Sequence, residues 1–327
     1  MKAQVIKIHS DFYYAQNNRH EVFVCKVRDV LKKQKIDIQT GDFVELNDNY
    51  ITARLPRKNF LPHPKVSNID LALVTVSFKE PDIDYIQLNR YLIYFKYYRI
   101  DAAICINKED LESNFKVKSE EILNIYSALG YKIFFISAKN NIGVDEIRKY
   151  IKNKTIVLCG QSGVGKSTLL NSIIPDANAR TADVSQKTSR GRHTTRHCEL
   201  LEYNDFRIVD TPGFSRLKFD FLLPGELFSL FDDLKVYSNC KYANCLHNTN
   251  EKNICCVVDN IDKISKSRYE SYLEFLDESI NYRDKISKSK INTEKHYKNS
   301  GNKTLTKISK KKRALSRKIQ KQNIGEI

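Results

Sequence analysis

Short runs of alternating apolar and polar residues occupy the first part of the chain. The clearest runs are Gln4–Ile8, Glu21–Val27 and Asp42–Leu46, with polar turns between them. A two-residue alternation turns one face of a strand towards a core and the other towards water. A proline-containing stretch at residues 55–64 then ends the pattern, because proline disfavours the continuation of a central strand. The pattern predicts a small β-barrel or sandwich over residues 1–66.

Beyond residue 66 the apolar runs become continuous. They are Leu71–Val76, Ala102–Ile106, Ile133–Ile136 and Thr155–Cys159. Continuous apolar runs indicate strands that are buried on both faces of a sheet. Helix-like segments lie between them, at residues 83–97 and 119–129. Strands that alternate with helices are typical of a doubly wound α/β domain, which we place at residues 67–232.

The strand pattern ends after Leu217, and two further parts follow. Residues 233–283 hold a cysteine and histidine cluster and then a helix with one apolar face. The apolar positions of that helix are Tyr269, Tyr272, Leu273, Leu276 and Ile280. Residues 284–327 carry 14 lysine and arginine residues against three acidic ones. We expect this basic tail to have little fixed structure and to add a salt-sensitive affinity for RNA.

Composition and charge restrict the class of protein. Hydrophobic residues make up 41% of the 327-residue chain, and the net charge of +16 favours a polyanionic partner such as nucleic acid. No stretch approaches the ~20 apolar residues that cross a bilayer, and the N-terminus lacks a signal-peptide pattern. Four of the eight cysteines fall in one short window, unlike a disulfide framework. We therefore expect a cytoplasmic protein.

A glycine-rich loop follows the strand at residues 155–159 and leads into a helix. The loop and the helix start read Gly160-Gln161-Ser162-Gly163-Val164-Gly165-Lys166-Ser167-Thr168. Glycines let backbone N–H groups converge on phosphate oxygens, and the helix N-terminus adds partial positive charge. Lys166 should reach the β- and γ-phosphates, and the Ser167 hydroxyl should ligate Mg²⁺. The loop predicts a nucleoside triphosphate site.

A second motif, Asn107-Lys108-Glu109-Asp110, predicts the base and directly follows the strand at 102–106. A carboxylate at Asp110 can accept hydrogen bonds from guanine N1 and the exocyclic amine, which adenine cannot reciprocate. The loop Ser137-Ala138-Lys139 follows the next strand, where a second guanine contact would fall. GTP is therefore favoured over ATP. Ras-like GTPases place the phosphate loop before the guanine motif, and the reversed order here indicates a circularly permuted GTPase.

A third motif, Asp210-Thr211-Pro212-Gly213, follows a strand at residues 206–209. The Asp210 carboxylate would contact Mg²⁺ through water, and the Gly213 N–H would contact the γ-phosphate. The next residue is Phe214, where Ras-like enzymes carry a glutamine that orients the attacking water. Phenylalanine cannot orient water, so another group must do so.

The candidates for that role lie in the polar loop Gly191-Arg192-His193-Thr194-Thr195-Arg196. One threonine, with Thr195 preferred because it precedes the returning strand, should close on Mg²⁺ when GTP is bound. His193 would either position the attacking water as a catalytic residue or only contact RNA phosphate or solvent. Arg192 and Arg196 would either stabilise transition-state charge or bind backbone phosphates.

Cys240, Cys245, His247 and Cys255 form a set of three thiolates and one imidazole, which suits tetrahedral Zn²⁺. Four protein ligands leave no open position, so one structural rather than catalytic ion is expected. Cys256 is a rival for the fourth place. Adjacent cysteines point in different directions, so one of the two should bind.

With these motifs in this order, residues 1–282 resemble the small-ribosomal-subunit biogenesis GTPases of bacteria, the RsgA family. The resemblance also covers Leu55-Pro56-Arg57-Lys58-Asn59, Val66-Ser67-Asn68-Ile69-Asp70 and Ser267-Arg268-Tyr269-Glu270-Ser271-Tyr272-Leu273. It implies an OB-fold barrel that contacts ribosomal RNA, the permuted core, a C-terminal zinc domain and a catalytic role for His193. Family members hydrolyse GTP faster on the small subunit, act there in late maturation, and then leave.

The resemblance also sets the expected partners, which are GTP or GDP and the small subunit with its 16S rRNA; we expect a monomer. Two features depart from the family. Seven residues separate His247 from Cys255 where five are usual, which keeps Cys256 open as a ligand. The basic tail is also unusual for the family, so the resemblance implies nothing about it.

Three other functions remain to be compared with this interpretation. A nucleotide-insensitive RNA-binding scaffold is disfavoured by the intact Lys166, Ser167, Asp110 and Asp210. A permuted GTPase of the large subunit would lack both the barrel and the cysteine cluster. A redox role for the clustered cysteines would require reactive thiols rather than bound zinc.

Overall fold

Five short strands close into a barrel at the start of the chain, as predicted. The computed structural model describes residues 1–174, 198–203, 205–210, 217–242, 244–248 and 255–298. The barrel elements are β1 (Lys2–His9), β2 (Phe12–Gln16), β3 (Val22–Val27), helix α1 (Asp29–Lys33), β4 (Phe43–Asn47) and β5 (Tyr50–Arg54). The strand order is β1-β2-β3-β5-β4, and β4 pairs back with β1. A closed five-stranded barrel with a helix between its third and fourth strands is an OB-type arrangement.

Alternation along the barrel strands supplies the barrel core. The burial pattern of β4, for example, has Val44 and Leu46 inside and their neighbours exposed. The inward side chains that are at most 3% exposed are Ala3, Val5, Ala15, Cys25, Val44 and Ile51. Small and branched side chains suit the narrow interior of a five-stranded barrel, so the period of two in the sequence sets which face is inside.

A short hairpin joins the barrel to the rest of the chain, formed by β6 (Phe60–Pro62) and β7 (Lys65–Ser67). The buried Asp42 carboxylate accepts hydrogen bonds from Arg57 at 2.6 and 2.8 Å and from the Ser67 hydroxyl at 2.6 Å. A buried charge is tolerated only when it is paired and hydrogen-bonded. Asp42 in the barrel therefore binds both the segment before the hairpin, through Arg57, and its second strand, through Ser67.

Two asparagines continue this joint towards the core sheet. The Asn59 side chain donates to the Ile69 carbonyl at 2.7 Å and accepts from the Ile69 N–H at 2.9 Å. The Asn68 amide donates to the Gly41 carbonyl at 2.8 Å. Side-chain amides can satisfy main-chain groups where no strand partner exists. These contacts show what the segments 55–59 and 66–70 do in the fold, which is to connect the barrel to the core.

A second group of strands extends the same sheet into an α/β core. The strands are β8 (Leu71–Ser77), β9 (Asp101–Asn107), β10 (Lys132–Phe135), β11 (Thr155–Cys159), β12 (Glu199–Tyr203) and β13 (Phe206–Asp210). Their order is β10-β9-β8-β11-β13-β12, and β12 then pairs with β1 of the barrel. All neighbouring core strands are parallel except β12, which is antiparallel to β13.

Helices cover both faces of this core, so the doubly wound prediction is confirmed. The helices are α2 (Tyr85–Tyr97), α3 (Phe115–Tyr126), α4 (Val144–Ile151) and α5 (Lys166–Ile173). Strand β8 is buried along its whole length, with Ala72 and Val74 facing one core and Leu71 and Leu73 facing the other. Helices α2 and α3 pack on the first face, and α4 and α5 pack on the second.

The C-terminal unit packs against α2 through buried polar contacts. Its helices are α6 (Pro224–Phe228), α7 (Asp232–Lys235), α8 (Cys256–Asp259) and α9 (Lys266–Lys298). Arg268, which is 2% exposed, donates to both carboxylate oxygens of Asp233 at 2.8 and 3.0 Å and to the Asn89 side-chain oxygen at 3.0 Å. Asn89 on α2 also donates to the Ser271 hydroxyl at 2.9 Å. This network fixes α9 against the core.

Helix α9 crosses residue 284, where we placed the start of a tail with little fixed structure. It continues to Lys298. Residues 285–298 contain neither glycine nor proline, and an existing helix lengthens more easily than a new one forms. Residues 299–327 lie outside the described part of the chain. Within the described residues, no helix combines the length and the apolar character that crossing a bilayer requires.

Candidate nucleotide and metal sites

The glycine-rich loop joins the end of β11 to the start of α5, as its sequence predicts. Gly160 has φ +147°, and a Cβ there would lie 2.1 Å from the Thr75 carbonyl oxygen. Gly165 caps α5 with φ +92°, and a Cβ there would lie 2.3 Å from Asn107 Nδ2. Both positions require glycine because of the backbone conformation and the close neighbours. The loop thereby presents main-chain N–H groups at a helix N-terminus, which is an anion-binding arrangement.

Lys166 places a cation inside this loop. Its Nζ donates to the carbonyl oxygens of Gly160 at 2.8 Å and Gln161 at 2.6 Å. Burial lowers the pKa of the Lys166 amine from its ordinary value, and nearby Cys159 opposes this shift. Ser167 and Thr168 lie exposed on the first turn of α5. An incoming phosphate would stabilise the protonated form of this partly buried amine.

Asn107 joins three of the predicted loops at one point. Its side-chain Nδ2 donates to the Val164 carbonyl of the phosphate loop at 2.9 Å. Its Oδ1 accepts from the Ala138 N–H at 2.9 Å. Asn107 is 2% exposed, so both halves of the amide are satisfied away from water. The guanine motif, the second base loop and the phosphate loop therefore form one site although they are far apart in sequence.

The other residues of the two base loops lie at the same edge of the sheet. Lys108 adopts a left-handed conformation with φ +63°, and its amine donates to the Glu80 carbonyl. Asp110 is exposed within a short 3₁₀ turn, residues 109–111. Ser137 is buried and exchanges main-chain hydrogen bonds with Ile142 at 3.0 and 3.1 Å, and Lys139 beside it is exposed. The exposed Asp110 carboxylate is available to a base.

The loop that follows β8, residues 78–84, belongs to the site but was missed by the sequence analysis. Gln161 donates to Asp84 Oδ2 at 2.8 Å, and Asp84 Oδ1 accepts from the Gln87 N–H at 2.9 Å. Pro81 lies against Gly163. The available signal was an aspartate three residues before a glutamine at a helix start, which is typical of an N-cap. Asp84 thus caps α2 and holds the phosphate loop.

Asp210 ends β13, one strand away from the phosphate loop. Its main chain pairs with Glu199 on β12, and the preceding Val209 pairs with Val157 on β11. The strand register therefore places the Asp210 backbone beside the strand that carries the loop. His193, Thr195 and Gly213 lie outside the described residues, as does the rest of the segment 191–196.

A separate site in the C-terminal unit gathers Cys240, Cys245, His247 and Cys255, whose ligand atoms all lie within 4.8 Å of one another. The Sγ atoms of Cys240 and Cys255 are 3.8 Å apart. These sulfurs lie 3.4 and 3.5 Å from His247 Nδ1. A tetrahedral Zn²⁺ separates two sulfurs by about 3.8 Å and a sulfur from a nitrogen by about 3.5 Å. The spacing of the four side chains is therefore compatible with ligands of one zinc ion.

The surroundings of this cluster hold its histidine and favour Cys255 over the rival Cys256. The His247 ring stacks on Phe228 with 3.8 Å between centroids, and its carbonyl accepts from the Tyr269 hydroxyl at 3.1 Å. Cys256 begins α8, and its thiol donates to the Asn239 carbonyl at 2.6 Å and also interacts with Cys240, but it lies outside the group of four. The directions of these two neighbouring side chains favour Cys255 as the fourth ligand. The sequence had left the choice open, because the spacing after His247 is two residues longer than usual for the family.

Replacing Gly165 with Ala should weaken the binding of a fluorescent guanine nucleotide by about tenfold or more. The new Cβ would collide with the Asn107 amide, and overpacking of this kind costs about 1–3 kcal/mol. Gly130→Ala is a matched control, because Gly130 also has a positive φ, +82°, but nothing lies within 4 Å of its Cβ position. Equal affinities in the two variants would show that the Asn107 contact does not shape the site.

Comparisons with known proteins agree with this arrangement. The RsgA GTPase family matches residues 54–220, and the RsgA N-terminal domain matches residues 2–51. A family described as 50S ribosome-binding GTPase matches residues 155–291, beginning at the strand before the phosphate loop. That starting point is expected for a permuted chain, since a GTPase of ordinary motif order begins there.

Relatives and solved structures extend the likeness over most of the chain. The small ribosomal subunit biogenesis GTPase RsgA of Alkaliphilus metalliredigens is 39% identical over 288 residues, which cover 85% of this chain and 97% of the relative. The protein of the same name from Clostridium botulinum is 37% identical over 294 residues, covering 87% and 99%.

Two crystal structures share the fold. YjeQ from Thermotoga maritima superposes with a TM-score of 0.73 and 30% identity, covering 85% of this chain and 98% of that one. YloQ, described as a circularly permuted GTPase, gives a TM-score of 0.70 at 30% identity, covering 86% and 95%. The shared motif order, the five-stranded barrel and the extent of these matches lead to one assignment. This chain belongs to the RsgA GTPase family.

Proposed function

We propose that the protein is a GTPase of small ribosomal subunit maturation. It hydrolyses GTP to GDP and phosphate, is stimulated by the 30S subunit in late assembly, and uses hydrolysis to leave. The observation that carries this proposal is the match to relatives named small ribosomal subunit biogenesis GTPase over 85% and 87% of the chain. Those matches span the barrel, the permuted core and the cysteine cluster together.

The site residues divide between the phosphates, the metal and the base. The segment 160–168 would hold the phosphates, with Lys166 on the β- and γ-oxygens and Gly213 on the γ-phosphate. Ser167, Thr195 and Asp210 would hold Mg²⁺, which when bound neutralises charge on the phosphate oxygens. Asn107, Lys108 and Asp110 would recognise guanine together with residues 137–139. The Asn107 bridge supports this division, because it places the base loops against the phosphate loop.

Hydrolysis requires a water molecule aligned with the γ-phosphate. The water oxygen would bond to the γ-phosphorus while the bond to the bridging oxygen breaks, leaving GDP and inorganic phosphate. His193 would orient this water by accepting a hydrogen bond from it, because Phe214 stands where Ras-like enzymes carry glutamine. The water protons leave with the phosphate product and solvent.

The cysteine cluster would hold one structural Zn²⁺ through Cys240, Cys245, His247 and Cys255. The ion would supply no chemistry to GTP, since all four positions around it are taken by protein. The spacing of the four ligand atoms supports this assignment. The zinc-bearing unit would instead keep α9 and the preceding loops in place against the core.

The remaining proposals concern partners and location. The net charge of +16 supports contact with 16S rRNA, to which the basic residues 284–327 would add sequence-independent affinity. We further propose a cytoplasmic monomer, in keeping with a bacterial ribosome assembly factor. A nucleotide-insensitive RNA-binding scaffold is the alternative, and the intact phosphate loop argues against it.

The proposed function predicts that purified small ribosomal subunits raise the rate of GTP turnover, while large subunits do not. Phosphate release would be followed with wild-type protein alone and with each subunit. Lys166→Ala is the inactive control, because it removes the amine that reaches the phosphates. RNA binding without stimulation by either subunit would support the scaffold, and selective stimulation by large subunits would assign the other ribosomal partner.

His193→Ala should lower subunit-stimulated turnover by about 10²-fold and leave GTP affinity nearly unchanged. Turnover should fall while affinity stays the same, because a group that orients water acts in the transition state and not in nucleotide binding. Arg196→Ala in the same loop is the comparison, and a loss of subunit affinity there would mark an RNA contact. Undiminished turnover in His193→Ala would return His193 to a contact with RNA phosphate or solvent.

Cys255→Ser should abolish zinc binding, whereas Cys256→Ser should keep about one zinc per chain. The two residues are adjacent, so they form a matched pair in which only the first lies in the cluster. Elemental analysis of the purified variants measures the metal directly. Zinc retained by Cys255→Ser and lost by Cys256→Ser would reassign the fourth ligand.

A further inference from the structure

The barrel and the core sheet meet in one continuous row of paired residues. Lys7 on β1 pairs with Glu199 on β12, and Glu199 pairs in turn with Asp210 on β13. An ion pair of 2.8 Å joins the Lys7 amine to the Glu199 carboxylate. The main chain of the proposed magnesium residue is therefore two strands away from a barrel lysine, along a single register.

A buried hydrogen bond fixes the beginning of β12 to the same barrel. The Thr40 hydroxyl donates to the Cys198 carbonyl at 3.0 Å, and Thr40 is 3% exposed. The Thr40 carbonyl accepts from the Ser67 N–H at 3.0 Å, and the Gly41 N–H donates to the Val5 carbonyl at 2.7 Å. Thr40 thus lies where the barrel, the connecting hairpin and β12 meet.

The other end of β12 is also tied to the barrel. Gln16 donates to Glu202 at 2.9 Å, and Arg207 on β13 donates to the Gln4 side chain at 2.7 Å and to Glu202 at 3.2 Å. Without the barrel, β12 would be the edge strand of the core sheet, with unpaired main-chain groups. The barrel therefore gives β12 a neighbour on the side away from β13.

We propose that Lys7, Thr40 and Glu199 are positioning residues that keep Asp210 in register for its magnesium-linked role. The proposal rests on the function proposed above for Asp210. The guanine loops follow β9 and β10, at the opposite side of the core sheet from β12. A change at the barrel junction should therefore alter the response to magnesium while leaving guanine recognition intact.

The test is the release of a fluorescent non-hydrolysable GTP analogue from full-length protein across a MgCl₂ series. Thr40→Val keeps the shape of the side chain but removes the donor to the Cys198 carbonyl. It should raise the Mg²⁺ concentration for half-maximal slowing of release by about fivefold, at the low end of ordinary coupling between sites. Release in EDTA should match wild type, because the phosphate loop and base loops are untouched. Thr40→Ser restores the donor and should behave as wild type.

Lys7→Met provides a second measurement at a partly exposed position, where a substitution disturbs folding less than one at the buried Thr40. It removes the ion pair to Glu199 and should raise the Mg²⁺ concentration for half-maximal slowing of release by roughly twofold. Lys7→Arg keeps a cation beside Glu199 and should behave as wild type. Magnesium responses identical to wild type in both Thr40→Val and Lys7→Met would overturn the proposal. The proposal would also fail if the variants released the analogue faster than wild type in EDTA by the same factor as in MgCl₂. GTP turnover with small subunits is measured in a separate experiment. If small subunits did not stimulate the wild-type protein, the proposed function would fail but the positioning proposal would not.

Discussion

The bridge made by the Asn107 side chain is the contact on which the nucleotide site depends. One amide satisfies a carbonyl of the phosphate loop and an N–H of the second base loop, each at 2.9 Å. An unsatisfied buried polar group costs about 1–3 kcal/mol, so neither loop can move away without a penalty. Gly165 lies against the same amide, which explains why a side chain there cannot be accommodated. A single residue thus positions the predicted base loop and the phosphate loop relative to each other.

Permutation leaves this bridge intact because it depends on neighbouring strands and not on chain order. Strands β9, β8 and β11 are adjacent in the sheet, so the loops at their carboxyl ends meet whichever strand comes first. What changes is where the core begins. Asp70 accepts from the Thr155 N–H at 2.8 Å, which ties the entry of β8 to the start of β11. The segment 66–70, which connects the barrel to the core, therefore contacts the strand that precedes the phosphate loop.

The hydrophobic period predicted the barrel and the doubly wound core because it is a local pattern. The family followed from the motifs and their order, which can be read along the sequence without the fold. Strands β2 and β5 were not among the predicted runs. In β2, Phe12, Tyr13 and Tyr14 show no alternation of apolar and polar residues, although Phe12 faces solvent and Ala15 faces the core. The preference for Cys255 over Cys256 as the fourth ligand rests on side-chain directions, which the spacing in the sequence does not contain. The contacts of Thr40 and Asp84 were equally hidden, because each joins segments far apart in sequence.

The C-terminal unit holds residues 217–219 by hydrogen bonds, as the barrel holds β12. Glu278 on α9 accepts from the Phe219 N–H at 2.6 Å and from Arg90 at 2.8 Å, and Arg90 donates to the Leu217 carbonyl at 3.3 Å. Leu217 is the first described residue after the predicted γ-phosphate motif. Arg90 and Glu278 therefore hold residues 217–219 against α2 and α9. Each flanking unit thus holds residues that lie next, in the sequence, to one of the two segments predicted to contact the γ-phosphate.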